Sequence, residues 1–287
     1  MLHLLLHYEL NVNELVRIMN MGQSRVSRHL KILSDSGLLA SGRDGSYMYY
    51  SAVRNQEVEH LIRFIIQMGS SCPEFERDLE NAQQMLEERK HQVRDFFNDL
   101  AEDWDRLKQE VLGDFSLARF IPERVSGSFA AADLGCGTGE MILELARYVE
   151  RVIGVDSSSR MLEKARSRLK ETQVDADLRL GELEHLPMRN EEADLVVMEM
   201  VLRHVAVPLE GLKEVSRVLK PGGIFLMAEF DSHDQEALRH RYGGIWAGFT
   251  IQQLRDWLEA AGLSSPDFQQ HPVHQGLKVN VCTAVKP

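Results

Sequence analysis

Apolar and polar positions follow three different patterns along the 287-residue chain. Residues 1–55 show two short helical periods followed by a pair of strand-like runs, and residues 56–112 are helical and rich in charge. From residue 113 to residue 287, short apolar runs alternate with amphipathic helices, which predicts a parallel sheet covered by helices on both faces. We therefore predict three regions, with the boundaries 1–55, 56–112 and 113–287.

The first region predicts a helix, a turn, a second helix and a hairpin. Residues 13–19 form the first helix and residues 23–33 the second, in which Val26, Leu30 and Leu33 share the face towards the core. Asp44-Gly45, between two strand-like runs, is a strong hairpin signal. This arrangement is typical of a winged helix–turn–helix that contacts DNA, although a basic face that is only solvated has the same composition. The residues expected to contact DNA are Gln23, Ser24, Arg25, Ser27, Arg28, Lys31 and Arg43.

The second helix carries a family resemblance. Residues 27–33 read Ser-Arg-His-Leu-Lys-Ile-Leu and, with the run 37–39 and the hairpin 43–50, resemble the ArsR family of bacterial repressors. The resemblance implies a double-stranded DNA operator and a homodimer. ArsR-type domains usually begin with a further helix that helps dimerisation, whereas this sequence starts within what resembles the second helix. Metal-sensing members carry cysteines where this chain has residues 9–14, which contain none, so we expect no arsenite or metal site there.

The middle region combines an apolar stripe with a long charged helix. In ArsR-like proteins a helix at the position of residues 58–68 pairs the two subunits. After Pro73, apolar residues recur at alternating steps of three and four, interrupted by Arg89, as in a heptad seam. The seam fits either a short intersubunit coil or packing on the chain's own third region. Its residues are Cys72, Phe75, Leu79, Ala82, Leu86, Val93, Phe96 and Leu100.

A glycine-rich loop follows the first apolar run of the third region. Gly135, Gly137 and Gly139 come directly after residues 131–134, and the next run, 151–156, ends in Asp156. Glycine lets the main chain approach a ligand closely, and an acidic residue about 20 positions further on suits a ribose diol. The G-x-G-x-G spacing, with Asp133 two residues before the first glycine, resembles motif I of class I S-adenosylmethionine (SAM) methyltransferases.

The methyltransferase resemblance extends over about residues 90–287. It includes the segments 181–187 and 217–223, and residues 96–105 resemble the helix that covers the site in many small-molecule methyltransferases. It implies a Rossmann-like fold with a seven-stranded, mostly parallel sheet that binds SAM or its product S-adenosylhomocysteine (SAH). The loop would hold the methionine part, Asp156 the ribose, and Glu182 with Leu183 the adenine. The residues expected at this site are Asp133, Gly135, Cys136, Gly137, Gly139, Asp156, Ser157, Met161, Glu182 and Leu183.

The charge distribution separates the first region from the rest of the chain. The whole chain has a net charge of −11, whereas residues 1–55 hold six Lys/Arg against four Asp/Glu. This asymmetry allows one end to meet DNA while the rest stays soluble. No apolar run reaches the ~20 residues of a membrane span. The three cysteines are scattered, so we expect no disulfide framework, no metal site and a cytoplasmic location.

Catalysis is not decided by the sequence. Methyl transfer depends largely on positioning, and it needs a base only when the acceptor must lose a proton. Residues 193–199 and the segment after them lack the Asn/Asp-Pro-Pro-Tyr motif of amino-group methylases. Glu199, Arg203, His204 and His233 are acid–base candidates, but no catalytic residue is assigned. The interpretation that we favour is a repressor-like transcriptional regulator with SAM or SAH as effector; the alternative is an enzyme that methylates a small molecule.

Overall fold

The computed structural model of the chain describes residues 1–44, 47–53, 56–68, 73–124 and 130–287. The side chains of Gln56, Glu57, Glu59 and His240 lie outside this description, as do Gly45 of the predicted hairpin turn and Cys72 of the predicted seam. The chain divides into two compact units, Met1–His91 and Gln92–Pro287. Among the described residues, no helix combines the length and the apolar character needed to cross a membrane.

The first unit is helical with a small antiparallel sheet of strand order β1-β3-β2. Its helices and its hairpin lie where the sequence predicts them, and α3 continues two residues beyond the predicted end. Its elements are α1 (Leu2–Leu5), β1 (Leu10–Asn11), α2 (Val12–Met19), α3 (Gln23–Asp35), β2 (Leu39–Asp44), β3 (Tyr47–Ala52), α4 (Gln56–Met68) and the first part of α5 (Pro73–Leu100).

The helix–turn–helix has clear start and stop signals. Asn11 Oδ1 accepts a hydrogen bond from the Glu14 N–H at 3.1 Å, and the Asn11 N–H donates to Glu14 Oε2 at 2.9 Å, which forms a capping box at the start of α2. Asn20 ends the helix in the left-handed conformation, with a φ of 48°. Val26 and Leu30 are buried, so α3 turns its apolar side to the core and its polar side outward.

The long helix α5 contains the boundary between the two units. In the first unit, Ala82 and Leu86 of the predicted seam are buried, and Arg89, which interrupts the seam, forms an ion pair with Glu14 of α2. The seam is therefore covered at these positions within the unit itself. An intersubunit coil is not needed to bury them.

The second unit consists of alternating strands and helices that begin with the end of α5. The strands β5, β6 and β7 have the bounds that the sequence predicts. The elements are α6 (Trp104–Leu112), β4 (Ala130–Leu134), α7 (Glu140–Leu145), β5 (Arg151–Asp156), α8 (Ser159–Thr172), β6 (Asp177–Leu180), β7 (Ala193–Glu199), α9 (Pro208–Val218), β8 (Leu219–Phe230), α10 (Glu236–Arg241), α11 (Ile251–Ala260), β9 (Ser264–Pro272) and β10 (Lys278–Val285).

The sheet of the second unit has the order β6-β5-β4-β7-β8-β10-β9. The strands from β6 to β8 are parallel, and β10 runs antiparallel to both β8 and β9. This confirms the predicted Rossmann-like, seven-stranded, mostly parallel sheet. Leu195, Val196 and Val197 are fully buried because helices cover both faces. The chain runs outward from β4 to β6 and returns beside β4 as β7, and open sheets bind ligands at the carboxyl ends of the strands at such a switch point.

Candidate functional site

The loop after β4 folds back on the end of β5. The N–H groups of Gly135 and Cys136 both donate to the Val155 carbonyl oxygen, at 2.7 and 3.0 Å, and the Gly137 N–H donates to Asp156 Oδ2 at 2.8 Å. These bonds hold the glycine loop against the neighbouring strand end. They bring together the two halves of the site that the sequence predicts.

The three glycines of the loop have different roles. All have positive φ, of 72° at Gly135, 50° at Gly137 and 84° at Gly139. A Cβ on Gly135 would lie 2.6 Å from both methyl carbons of Val201, and one on Gly139 would lie 3.2 Å from Ala165 Cβ. Packing against Val201 therefore requires a glycine at position 135, and a Cβ at position 139 would press on Ala165. The nearest atom to a Cβ on Gly137 is Trp104 Nε1, at 3.6 Å.

Asp156 lies half-buried at the tip of β5 with acceptor capacity left over. Its Oδ2 accepts from Gly137, and its Oδ1 accepts from the Ser158 N–H at 2.8 Å. Burial raises the pKa of Asp156, and these backbone N–H groups oppose that shift. A carboxylate oxygen has two lone pairs, so each oxygen can still accept one hydroxyl. The pair fits the two hydroxyls of a ribose.

Asp133 supplies a buried carboxyl group, one oxygen of which meets no partner in the described part of the chain. It is 2% exposed, and its Oδ2 has no hydrogen-bond partner among the described residues. Burial raises the pKa of Asp133 to about 8, with Glu199 adding to the shift and Lys108 opposing it. An orphaned buried carboxyl is costly unless a ligand completes it. A ligand with an ammonium group, such as the methionine end of SAM, fits this position.

The remaining predicted cofactor residues lie next to this loop and strand end. Ser157 follows Asp156 and is half-buried, and Met161 is buried in α8. The Gly181 N–H donates to the Asp156 carbonyl oxygen at 3.0 Å, which places Glu182 and Leu183 beside the end of β5. The structure thus gathers the predicted cofactor residues at one edge of the sheet.

The end of α5 and α6 cover this edge, and we call residues 92–112 the cap. Asn98 Oδ1 accepts from Ser158 Oγ at 2.7 Å, and Asp105 Oδ1 accepts from Thr138 Oγ1 at 2.5 Å. Lys108 Nζ donates to Glu199 Oε2 at 2.6 Å. Sequence reasoning missed these three cap residues, and the only signal was the resemblance of residues 96–105 to a covering helix.

A small cleft of about 20 Å³, room for about one water molecule, lies under the cap, between α6 and the segments that follow β7 and β8. Of the acid–base candidates, His204 and Arg203 line this cleft, and His233 is not part of its lining. The fourth candidate, Glu199, accepts a hydrogen bond from Lys108. Burial lowers the pKa of His204 to about 3, with Arg203 adding to the shift, so its ring is neutral at physiological pH. The lining is Trp104, Leu107, Lys108, Val111, Leu112, Met200, Arg203, His204, Phe230 and Tyr242.

The residues predicted to contact DNA are all exposed in the first unit. Those on α3 are exposed while Val26 and Leu30 of the same helix are buried, and Arg43 is exposed on β2. We call these exposed residues together the reading face. It consists of Gln23, Ser24, Arg25, Ser27, Arg28, Lys31 and Arg43.

Comparison with known proteins places both units. Residues 1–41 match the model for bacterial regulatory proteins of the arsR family, and residues 132–227 match the model for a methyltransferase domain. A demethylmenaquinone methyltransferase of Staphylococcus saprophyticus is 35% identical over 200 residues, which span 62% of this chain and 83% of that protein. The chain belongs to the class I methyltransferases and carries an ArsR-family domain. The ArsR-family domain lies in the first unit, and the methyltransferase domain is the second.

Two further proteins extend the comparison. A SAM-dependent methyltransferase of Thermotoga maritima has the same fold, with a TM-score of 0.52 and 22% identity, over 68% of this chain and all of that one. An uncharacterised 37.1 kDa transposon protein of Streptomyces fradiae is 42% identical over 105 residues, but the match spans only 30% of its length. Because class I methyltransferases take SAM and release SAH, the ligand of the methyltransferase domain is SAM or SAH.

Burial of Asp133 predicts that ligand affinity depends on pH. With a pKa of about 8 the carboxyl is protonated in the free protein at neutral pH, and pairing with a ligand ammonium must expel that proton. SAH affinity should therefore rise about tenfold per pH unit between roughly pH 6 and 7.5. It should level off above pH 8, where the Asp133 carboxyl is already ionised in the free protein. Calorimetric titration with SAH across this range measures the slope.

The matched control for this prediction is Asp133→Asn, which keeps the shape and removes the titrating group. Its SAH affinity should be lower at pH 8 and nearly constant between about pH 6 and 7.5. A wild-type affinity that is flat over this range, or a variant with the wild-type slope, contradicts the pairing of Asp133 with the ligand amine.

Proposed function

We propose that this protein is a DNA-binding transcriptional regulator whose methyltransferase domain binds SAM or SAH as effector. One observation carries the proposal: the same chain has an exposed reading face and a crevice suited to a nucleoside. In that crevice the buried Asp133 Oδ2 has no hydrogen-bond partner among the described residues. An ammonium-bearing nucleoside completes the crevice. The reading face has the polar and basic side chains that contact base edges and phosphates.

The reading face gives a direct test of DNA binding. Arg28 lies in the middle of α3, where a side chain reaches base edges, so Arg28→Ala should weaken binding to the preferred sequence by roughly 1–3 kcal/mol. Arg43 lies on the wing strand β2. If it contacts a phosphate, Arg43→Ala should weaken binding to all sequences and reduce the salt slope by about one unit. Fluorescence anisotropy with duplexes that the protein selects from a random pool measures both effects.

The matched control is Arg147→Ala, which removes an exposed arginine of the methyltransferase domain that pairs with Glu144, three residues before it. It should leave DNA affinity unchanged. Wild-type affinity in both reading-face variants would exclude α3 and the wing as the DNA contact.

The effector role is tested by measuring the coupling between the two ligands. A regulator of this kind has a coupling free energy of typically 1–3 kcal/mol between effector and DNA. Linkage requires SAH to change DNA affinity by the same factor by which DNA changes SAH affinity. Anisotropy at fixed salt with and without SAM or SAH, and calorimetry with and without the selected duplex, give the two factors. Equal DNA affinity in all ligand states would remove the effector claim.

We also propose that the regulator acts as a dimer formed through α4. Leu61, Phe64, Ile65 and Met68 recur at steps of three and four on one face and are exposed, whereas Ile62 between them is buried. An exposed apolar stripe of this kind marks an association surface. Sedimentation equilibrium is expected to show a dimer for the wild type and a monomer for Phe64→Glu; a monomeric wild type would refute this part.

The alternative function is a small-molecule methyltransferase, and the cleft under the cap favours it. Trp104 both lines the cleft and lies against Gly137, so the cleft adjoins the glycine loop. A molecule that enters there when the cap opens would be next to the methionine end of the cofactor. Steady production of SAH that requires a defined acceptor would establish the enzyme, and its absence with a broad acceptor panel would favour the effector role.

A further inference from the structure

The helix α5 is shared by the two units of the chain. It runs from Pro73 to Leu100, and the boundary between the units falls after His91. Its first part therefore belongs to the first unit, and its last part begins the cap of the methyltransferase domain. A helix that is anchored in both units can carry a change in one of them to the other. The contacts of each part show what α5 is anchored to.

The first part of α5 holds α2, the leading helix of the helix–turn–helix. Asn81 Nδ2 donates to the Ile18 carbonyl oxygen at 2.9 Å, close to the end of α2. Arg89 forms an ion pair with Glu14 in the first turn of α2, and both side chains are largely buried. These contacts hold α2 near both of its ends. Because α3 packs against α2, a shift of α5 would also shift the reading face.

The last part of α5 holds the wall of the crevice. Asn98 Oδ1 accepts from Ser158 Oγ at 2.7 Å, and the Ser158 N–H donates to Asp156 Oδ1 at 2.8 Å. The carboxylate expected to bind the ribose is thus two hydrogen bonds away from α5, through a fully buried serine. Phe96 lies against Gly243, where an added Cβ would clash with its ring. A change at Asp156 on ligand binding therefore reaches α5 through Ser158.

We propose that α5 transmits the ligand state of the crevice to the helix–turn–helix, through Asn98 in its last part and through Asn81 and Arg89 in its first part. The inference rests on the proposed function, and it names the element that couples effector and DNA. A nucleoside can shift α5 only as far as its affinity differs between the arrangements that favour and disfavour DNA. Residues 90–95 join the two anchored parts and must stay helical for the shift to reach α2.

Two exposed positions in this joining segment, Gln92 and Asp95, allow a matched test on the full chain. The double variants Gln92→Gly/Asp95→Gly and Gln92→Ala/Asp95→Ala lose the same side chains, but glycine is a much poorer helix former than alanine. Calorimetry measures SAH affinity with and without the selected duplex, and the larger affinity divided by the smaller is the coupling factor. The factor is typically about 5–150, and the alanine pair should keep it within about twofold, whereas the glycine pair should bring it close to one.

A second variant tests the anchor on α2. Asn81→Ala removes the hydrogen bond to the Ile18 carbonyl oxygen and should lower the coupling factor about twofold or more. Its SAH affinity without DNA should equal that of the wild type, because Asn81 lies outside the methyltransferase domain. This variant carries the test if thermal unfolding shows that the glycine pair does not fold.

The outcomes separate this inference from the proposed function. A glycine pair that couples SAH and DNA as strongly as the alanine pair overturns the role of α5 and leaves the effector role intact. A wild-type coupling factor in Asn81→Ala overturns the anchor on α2. A coupling factor of one in the wild type itself would instead overturn the proposed function.

Discussion

Asp156→Ala is expected to lower SAH affinity more than a hundredfold. In the wild type each carboxylate oxygen of Asp156 already accepts one backbone N–H and has a lone pair left for one ribose hydroxyl. Hydrogen bonds to a charged group contribute about 1.5–3 kcal/mol each, so two of them account for roughly 3–6 kcal/mol. The variant also releases the Gly137 N–H, which loosens the loop beneath the ligand. Isothermal titration calorimetry at pH 8 measures the loss.

Two further variants make this prediction specific. Asp156→Asn keeps one acceptor oxygen, so its SAH affinity should lie between that of Asp156→Ala and that of the wild type. Asp177→Ala removes an exposed carboxylate on the neighbouring strand β6, where it pairs with Arg179 at 2.7 Å, and should leave SAH affinity unchanged. Near-wild-type affinity in Asp156→Ala, in a sample that still unfolds cooperatively, would refute the ribose assignment.

Gly135→Ala is expected to destabilise the methyltransferase domain by roughly 2–5 kcal/mol. A left-handed backbone costs an alanine about 1–2 kcal/mol, and overpacking a buried site costs typically 1–3 kcal/mol more. Here the new Cβ would lie 2.6 Å from both Val201 methyl carbons. Urea unfolding followed by tryptophan fluorescence measures this domain, because Trp104, Trp246 and Trp257 all lie in it.

The chain offers a matched control and a rescue for this prediction. Gly222 has a similar φ of 76°, but a Cβ there would meet no atom within 4 Å beyond its chain neighbours, so Gly222→Ala should cost only the backbone share of about 1–2 kcal/mol. Val201→Ala removes the methyl groups that a Cβ at Gly135 would meet, and it should recover part of the loss in the double variant. If Gly135→Ala and Gly222→Ala lower the free energy of unfolding equally, the Val201 side chain moves aside without an energetic penalty and the prediction is wrong.

Local signals in the sequence were sufficient for much of the sheet and for the outline of the crevice. The segments 151–156, 177–180 and 193–199 became β5, β6 and β7 with unchanged bounds. The first and third are mostly apolar, and the second, Asp-Leu-Arg-Leu, alternates polar and apolar residues, and both patterns are typical of strands. The loop and Asp156 lie together because parallel strands end at the same edge. The winged helix followed from turn residues and a helical period.

Contacts between distant segments could not be predicted in this way. Ser158 meets Asn98 across 60 positions of sequence, and Lys108 meets Glu199 across 91. Tyr242 has no local pattern that marks it, because its burial depends on how α10 and the cap pack around the cleft. Gly135 and Gly139 matched a ligand motif, but packing against Val201 and Ala165 explains their lack of a side chain. The motif therefore located the site correctly, but it did not show which of its residues contact the ligand and which are needed for packing.

The cap described above has a kinetic consequence. Its polar contacts reach the glycine loop, the end of β7 and the start of α8, so we expect a nucleoside to enter and leave only when they separate. Part-buried hydrogen bonds of this kind contribute only about 0.5–1.5 kcal/mol each, but several must part in one event. Binding and dissociation are then both limited by the same slow opening of the cap. A nucleoside therefore stays bound for longer than it would in an open site of the same affinity. Occupancy would follow the average supply of the compound over time and smooth out brief fluctuations.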